Sequence, residues 1–255
     1  MPAAFRLPAM LQRARLFPAA ITHGFSTRVG GVSRDRYASL NVGERWGDAP
    51  EAVAENLRRI ASGANFELEQ LVRVRQVHGA AVLAAHEIQA DSEADAIWHA
   101  RAHPGPAKVV GVMTADCVPV LICDRDASVV AAIHSGWRGT VANITGCTVQ
   151  TLCEQGGASP ERLLAAIGPC IELAAFEVGE EVAAAFEDRF VDRSFGAKPH
   201  VDLVACVTAQ LVAAGVPAGQ IERVGTCTHA NPDLYFSYRR DGAGIGQHLS
   251  LIGLQ

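Results

Sequence analysis

Three apolar runs near the middle of the chain constrain its fold more than any other feature. They are KVVGVMT at 108–114, VPVLIC at 118–123 and SVVAAI at 128–133. Each run is far too short to span a membrane, but it has the length and composition of a strand that is buried on both faces. The sequence therefore predicts three buried strands in close succession.

The rest of the pattern predicts further strands and several helices. Strands are expected at LVRVRQV, RLLAAIG and QIERVGTC, the last of these as the final strand. Helices are expected after Asp48 as cap with Pro50 in the first turn, through Val141 to Leu152, through Val178 to Phe186, and from Asp202. Because strands and helices do not alternate strictly, we predict an α+β fold of mixed β-sheets with flanking helices.

The chain of 255 residues is predicted to form a single domain at 21–255, preceded by an N-terminal extension at 1–20. The first 34 residues contain five arginines and no acid before Asp35, as in a transit peptide. However, Pro2, Pro8 and Pro18 break any long helix and favour an ordinary soluble start. Seven cysteines, an odd number without a secretory signal, indicate free thiols in a reducing compartment. We therefore predict a cytoplasmic protein.

The charge distribution argues against a polyanionic partner. The formal net charge is −5, and the arginines are scattered along the chain instead of forming a basic stripe. We therefore expect no binding to nucleic acid, and the absence of a long apolar segment predicts no membrane insertion. Single arginines can still hold a small anion, because a guanidinium binds phosphate or carboxylate through two parallel hydrogen bonds.

Three strand-like segments end on side chains that bind metals: His78 in QVHG, Cys117 in TADC and His134 in HSGWRG. Two imidazoles and one thiolate are three protein ligands, which leaves a fourth position of zinc open, as in catalytic sites. The alternative is that three unrelated polar residues follow three strands, since cysteine is often only a small buried hydrophobe.

Two other chemistries fit some of the same residues. Cys117 and His134 are also suited to act as a thiolate–imidazole pair in a metal-independent cysteine hydrolase. Copper oxidation is less favoured, because copper clusters need closely spaced His-x-His pairs and the nine histidines contain none.

Three further residues are candidates for the site. Asp116, next to Cys117, is a candidate proton carrier, with a turn-capping carboxylate as the alternative. Arg28 in STRVGG and Arg138 in WRG stand in glycine-rich contexts and are candidate phosphate ligands, with surface salt bridges as the alternative.

Eight ordered blocks of the sequence together resemble one known family. They are HGFSTRVGGVS, SLNVGERWGD, RQVHG, MTADCVPVLIC, AAIHSGWRGT, AAIGPCI, FEVGEEV and FSYRRDG, and they extend from about residue 21 to the C-terminus. The family is named after the bacterial protein YfiH, and is also called the peptidoglycan editing factor family, the "laccase domain" family of multicopper polyphenol oxidases, or the FAMIN-like purine nucleoside phosphorylases.

The resemblance implies a zinc-dependent enzyme whose metal ligands are His78, Cys117 and His134. Its implied reactions are phosphorolysis of adenosine, inosine and methylthioadenosine and deamination of adenosine, with purine nucleosides and phosphate as partners. Within these reactions we expect Asn41 to hold a ribose hydroxyl or a base edge. A copper-dependent polyphenol oxidase and a non-enzymatic peptidoglycan editing factor are the alternatives, and assembly into a homo-oligomer is left open.

The sequence departs from the family pattern at three positions: Ser135 replaces the commoner Ala, Trp98 the usual Thr and Gln247 the usual Arg. The last change matters most. If that position contacts substrate or a neighbouring subunit, substrate preference or assembly is expected to differ while the zinc site is retained.

Overall fold

The computed structural model describes residues 9–106 and 108–255, so the first eight residues of the predicted extension lie outside it. The strands are β1 Leu11–Gln12, β2 Ile21–Ser26, β3 Leu71–Val72, β4 Val82–Ala84, β5 Ala96–Ala100, β6 Val109–Thr114, β7 Val118–Asp124, β8 Val129–Ser135, β9 Leu163–Ile167, β10 Val191–Asp192, β11 His200–Val201, β12 Ile221–Arg223 and β13 His248–Leu254. The helices are α1 Pro50–Ala64, α2 Trp137–Val141, α3 Ile144–Glu154, α4 Glu180–Ala183, α5 Leu203–Ala213 and α6 Tyr238–Asp241.

Two large mixed sheets organise the molecule, together with the small β10–β11 pair. One sheet has five strands in the order β1-β2-β13-β6-β3, and the other has six in the order β12-β9-β7-β8-β5-β4. Most neighbours are antiparallel, but β3 with β6, β4 with β5 and β12 with β9 are parallel. The predicted α+β class with mixed sheets and flanking helices is therefore confirmed.

Three apolar clusters show how these layers pack. The first lies between the sheets and joins Phe25 and Ile252 of the five-stranded sheet to Leu121 and Ala132 of the six-stranded one. The second lies on the outer face of the six-stranded sheet under α3 and α5. The third lies between the five-stranded sheet and α1. Strands at the centre of such a stack are buried on both faces, as the three apolar runs predicted.

The chain crosses between the sheets directly after β6. This strand belongs to the five-stranded sheet and β7 to the six-stranded sheet, and only residues 115–117 connect them. The short connection brings the ends of β6 and β7 together, and Cys117 is its last residue.

Several predicted elements differ in extent. The predicted strand LVRVRQV is a strand only at Leu71–Val72, so His78 follows a loop and not a strand. QIERVGTC forms only the short edge strand Ile221–Arg223, and the final strand is β13, which the sequence interpretation missed together with β5.

The helices differ from expectation in similar ways. Ala49, and not Asp48, is the N-cap of α1, and the Asp48 side chain accepts hydrogen bonds from Ser33 and Asn41. The helix expected through Val141 to Leu152 is divided into α2 and α3, with Asn143 at φ 58° between them. The helix expected through Val178 to Phe186 is a single turn, whereas Asp202 caps α5 as predicted.

Residues 11–12 belong to the five-stranded sheet, because Leu11–Gln12 pairs with β2. The described part of the predicted extension is thus attached to the domain, and the boundary at residue 20 stays a prediction. Among the described residues, none of the helices combines the length and apolar character needed to cross a membrane.

Candidate metal centre

The structure brings the three predicted ligands together. His78, Cys117 and His134 each offer one ligand atom, and these atoms all lie within 4.8 Å of one another. The two imidazole rings meet edge to face, with their centroids 4.7 Å apart. Residues separated widely in the sequence thus form one cluster of two nitrogens and a sulfur.

Three different local structures supply these ligands. His134 is the penultimate residue of β8 and is buried, whereas Cys117 immediately precedes β7 and is half-buried. His78 is exposed and lies in a loop with a positive φ of 60°. The expectation that all three stand at strand ends is therefore wrong for His78.

The buried carboxylate of Asp95 holds two of the three ligands in place. Its Oδ1 accepts a hydrogen bond from the backbone N–H of His78 at 2.9 Å and lies 2.7 Å from Nδ1 of His134. Its Oδ2 accepts from the backbone N–H of Gly79 at 2.6 Å. A proton on Nδ1 of His134 leaves Nε2 free as the metal-binding atom, which is the usual carboxylate–histidine–metal arrangement.

Gly136 gives the ligands the space that they occupy. A Cβ atom at this position would lie 2.7 Å from Nδ1 of His78 and 3.1 Å from Sγ of Cys117. No side chain other than hydrogen fits such a close approach. The three clustered side chains therefore require a glycine at position 136, the first glycine of HSGWRG.

The electrostatics of the cluster favour a thiolate. Burial raises the pKa of the Cys117 thiol, but the adjacent imidazoles of His134 and His78 outweigh this effect and lower it to about 6. Burial lowers the pKa of His134, and the Cys117 and Asp95 side chains together raise it to about 9. Because a deprotonated sulfur and two imidazoles are the ligands that zinc takes in proteins, this donor set fits a zinc ion.

The cluster lies in the wall of a pocket of about 810 Å³. Aromatic side chains line much of it: Trp46, Trp137, Phe176 and Tyr238. The Trp46 and Tyr238 rings have centroids 6.1 Å apart and are tilted by 31°. A cavity of this size with an apolar lining and a few polar groups is typical of a site for a small organic molecule.

Four arginines also line the pocket, at positions 45, 75, 138 and 239. Arg75 pairs with Glu93, and Arg239 donates to the backbone carbonyl of Glu177 at 2.6 Å. In the described part of the chain, the guanidinium groups of Arg45 and Arg138 have no hydrogen-bonded partner, and Arg138 lies over the Trp137 ring at 4.3 Å. These two cations are free to bind an anion.

Of the three substrate-binding candidates, only Arg138 lines the pocket. Arg28 donates to the carbonyls of Ala38 and Pro232, and its guanidinium lies 4.6 Å from the centre of the Phe236 ring. Burial lowers the pKa of Arg28 from its ordinary value. These contacts assign Arg28 to the packing of two loops, and its predicted contact with phosphate stays a prediction.

Asn41 is fully buried, and its carboxamide is saturated by the protein. It donates to the carbonyl of Gly43 and to Asp48, and it accepts from the backbone N–H groups of Gly43 and Gln247. An asparagine side chain has two donors and an acceptor with two lone pairs, so nothing remains for a ligand. The geometry gives Asn41 a role in holding Gln247, and its contact with ribose stays a prediction.

Asp116 lines the pocket, but its carboxylate already accepts three hydrogen bonds. The donors are the hydroxyls of Thr228 at 2.6 Å and Ser237 at 3.0 Å and the backbone N–H of Arg239 at 2.6 Å. Asp116 also has a positive φ of 94°. It fastens the turn before Cys117 to the segment that begins α6, and its role in proton transfer stays a prediction.

The sequence analysis did not identify four residues of the site. Asp95 was not identified because the short strand β5, which it precedes, was not recognised. Arg45, Trp46 and Tyr238 fall inside the blocks SLNVGERWGD and FSYRRDG, which carried the family resemblance but received no role. A polar residue before an apolar run, as in DAIW, is the signal that could have found Asp95.

Comparison with known proteins gives consistent matches along nearly the whole chain. Residues 22–255 match the family described as "Multi-copper polyphenol oxidoreductase laccase". A purine nucleoside phosphorylase of Deinococcus radiodurans is 40% identical over 241 residues, which cover 92% of this chain and 90% of that protein. The adenosine deaminase RL5, from an unknown prokaryotic organism, is 37% identical over 237 residues, which cover 88% and 90%.

The fold is also shared with solved structures. The crystal structure of the hypothetical protein YfiH from Bacillus licheniformis superposes with a TM-score of 0.88 at 28% identity, covering 98% of both chains. The similarity therefore includes both large sheets and the segments that carry the metal-ligand candidates.

Proposed function

Since this chain belongs to the multi-copper polyphenol oxidoreductase laccase family, which includes YfiH, we propose that it is a zinc-dependent enzyme acting on purine nucleosides. The proposed reactions are phosphorolysis of adenosine, inosine and methylthioadenosine, and deamination of adenosine to inosine. The observation that carries the proposal is the cluster of His78, Cys117 and His134 in the wall of a pocket of about 810 Å³. Relatives named purine nucleoside phosphorylase and adenosine deaminase support both reactions.

Zinc held by these three side chains would supply a Lewis acid and lower the pKa of a bound water toward neutrality. Asp95 keeps the imidazole of His134 in one orientation and one tautomer. It also fixes the loop that carries His78. The protein thus pre-arranges its ligands before any ion arrives, which lowers the entropy lost on binding.

For phosphorolysis, a phosphate must be held next to the anomeric carbon of the sugar. Arg138 is the predicted ligand for it, and Arg45 is a second cation of the same pocket without a protein partner. Two guanidinium groups would offset the charge of the phosphate and orient it through paired hydrogen bonds. Arg28 and Asn41 are the other proposed substrate contacts, and each would have to exchange a present protein partner for the substrate.

The purine base has an aromatic surface available for stacking. Trp46 is half-buried and Tyr238 is 51% exposed, and both line the pocket. An aromatic ring that is exposed to water is stabilised when another aromatic ring stacks on it, and a purine base can stack in this way. Asp116 is proposed to transfer a proton during deamination through Oδ1, which accepts one hydrogen bond, whereas Oδ2 accepts two.

The test is to incubate the zinc-loaded protein with adenosine, with and without phosphate. Adenine and ribose phosphate indicate phosphorolysis, and inosine as the sole product indicates deamination. We expect His78→Ala and Cys117→Ala to lose both activities, because each removes one of three metal ligands. Full turnover by either variant, or no turnover of any purine nucleoside by the unchanged protein, would contradict the proposal.

A cysteine hydrolase is the second candidate, and one observation favours it. Cys117, His134 and Asp95 stand in the order thiolate, imidazole and carboxylate, as in nucleophilic triads. Such a hydrolase does not need His78. If hydrolysis of a p-nitrophenyl ester survives both a chelator and His78→Ala while nucleosides are left unchanged, the hydrolase is the correct function.

Two further alternatives have direct tests. A copper-dependent polyphenol oxidase, which the printed family name suggests, would oxidise phenols in proportion to its copper content. A peptidoglycan editing factor would retain its effect on the cell wall in a His78→Ala variant. We propose a cytoplasmic location, since all seven cysteines are free thiols.

A further inference from the structure

The pocket contains one carboxamide that is not used by the protein. We infer that this side chain, Gln247, is a specificity-determining residue that reads the edge of the purine base and favours a 6-aminopurine over a 6-oxopurine. The inference rests on the proposed function and deepens it, because it names the class of base that the site prefers.

The first observation is that the Gln247 carboxamide has no hydrogen-bonded partner within residues 9–106 and 108–255. A second glutamine lines the same pocket, but both polar atoms of its side chain are hydrogen-bonded to the protein. Gln76 accepts from the backbone N–H of Met113 and donates to its carbonyl, both at 2.7 Å. Gln247 is half-buried and lines the pocket, so the donor and the acceptor of its carboxamide are available to a ligand there.

The second observation is that Gln247 is held in position from both sides. Its backbone N–H donates to Oδ1 of Asn41 at 2.9 Å, and its carbonyl accepts from Val42 at 3.2 Å. Its side chain passes directly over Gly43, where a Cβ atom would lie 2.6 Å from Oε1. Since Asn41 is itself buried and saturated, the start of the Gln247 side chain is fixed before a ligand binds.

The chemistry of a carboxamide determines which base it prefers. It presents a donor and an acceptor side by side, which match the N6 amino group and N7 of adenine. A 6-oxopurine presents two acceptors, O6 and N7, on the same edge, so the carboxamide oxygen would face another acceptor. A guanidinium has only donors and prefers the 6-oxopurine edge. The nature of this one side chain therefore sets the direction of the preference.

The experiment compares kcat/KM for adenosine and inosine at saturating phosphate in the unchanged protein, Gln247→Leu and Gln247→Arg. We expect the adenosine-to-inosine ratio to fall about 10- to 100-fold in Gln247→Leu, the discrimination that one bidentate contact provides. In Gln247→Arg the preference should move further, toward inosine. Gln150→Leu, an exposed change on α3, is the matched control and should leave the ratio unchanged.

The possible failures are distinguishable. Unchanged ratios in active variants would overturn the inference and leave the proposed function intact. Absence of turnover of every purine nucleoside by the unchanged protein would overturn the proposed function and the inference with it. If a variant loses turnover, the ratio of its dissociation constants for adenosine and inosine decides the same question.

Discussion

At the scale of single residues, Asp95 contacts two of the three candidate metal ligands. Its carboxylate is inaccessible to solvent, and its neighbours oppose the effect of burial. Burial raises the pKa of Asp95, but the hydrogen bonds from His134, Gly79 and His78 lower it below its ordinary value. A buried charge with this many donors is stable only while all of them stay in place. Asp95 therefore couples the orientation of two metal ligands.

We predict that Asp95→Asn weakens zinc binding about 10- to 100-fold, the usual effect of removing a carboxylate behind a metal-binding histidine. The amide has only one oxygen, so its NH₂ group would face either His134 and His78 or the N–H of Gly79. Competition with a chelating dye measures the dissociation constant of zinc.

The matched control is Asp124→Asn. Asp124 is another buried carboxylate, and it accepts hydrogen bonds from Ser128 and Val129 in the turn between β7 and β8. This variant should lose stability without losing affinity for zinc. An equal loss of affinity in both variants would show that Asp95 acts only through folding.

At the scale of elements, β13 joins the two halves of the core. It lies between β2 and β6, and all of its residues are buried. Leu249 and Leu251 face the cluster that includes α1, whereas Ile252 and Leu254 face the cluster between the two sheets. Alternate residues of one strand thus pack against two different layers.

We predict that Ile252→Ala lowers the free energy of unfolding by about 2–5 kcal/mol, because it leaves a cavity between the sheets. Ile252 is 0% exposed. Urea denaturation measures the change, with Val212→Ala as control, since Val212 is 46% exposed on α5 and its truncation should cost less than about 0.5 kcal/mol. A loss below 1 kcal/mol for Ile252→Ala would show that the layers repack around the smaller side chain.

Tertiary contacts explain where the predicted elements end. The alternation in LVRVRQV continues past Val72, but the Gln76 side chain, instead of a strand backbone, bonds to Met113. The helical spacing of Val178, Val182 and Phe186 yields only one α-helical turn, because the N–H groups of Ala185 and Phe186 donate three residues back, to Val182 and Ala183, and not four. In the first segment a partner from elsewhere in the chain replaces the strand pairing, and in the second the local hydrogen bonds tighten the helix.

At the scale of the whole molecule, the three candidate metal ligands connect parts of the chain that are distant in sequence. His134 lies in the six-stranded sheet, Cys117 lies at the crossing between the sheets, and His78 lies in a loop after β3 of the five-stranded sheet. An ion held by all three would therefore link the two sheets. Such a link binds the folded state and not the unfolded one, so it adds stability.

We predict that zinc at a free concentration 100-fold above its dissociation constant stabilises the protein by about 2.7 kcal/mol. For a domain of this size the melting temperature should rise by about 5–11 °C. Scanning calorimetry of the metal-free protein with and without zinc measures the shift. In His78→Ala the shift should be much smaller, and an undiminished shift there would place the zinc elsewhere.

Features that depend on local pattern could be predicted from the amino-acid sequence alone. The buried runs of β6, β7 and β8 and the cap of α5 at Asp202 follow from hydrophobicity and side-chain chemistry over a few residues. The three candidate ligands, His78, Cys117 and His134, were also predicted, from metal-binding side chains at the ends of strand-like segments and from the family resemblance.

Which polar groups are free and which are engaged depends on contacts between distant segments. These contacts saturate Asn41 and engage Arg28, whereas the side chains of Arg45 and Gln247 have no hydrogen-bonded partner in the part of the chain that the structure describes. The role of Asp95 likewise depends on β5 pairing with β8. Each polar side chain has a small number of donors and acceptors, and the folded chain determines which partners they bind.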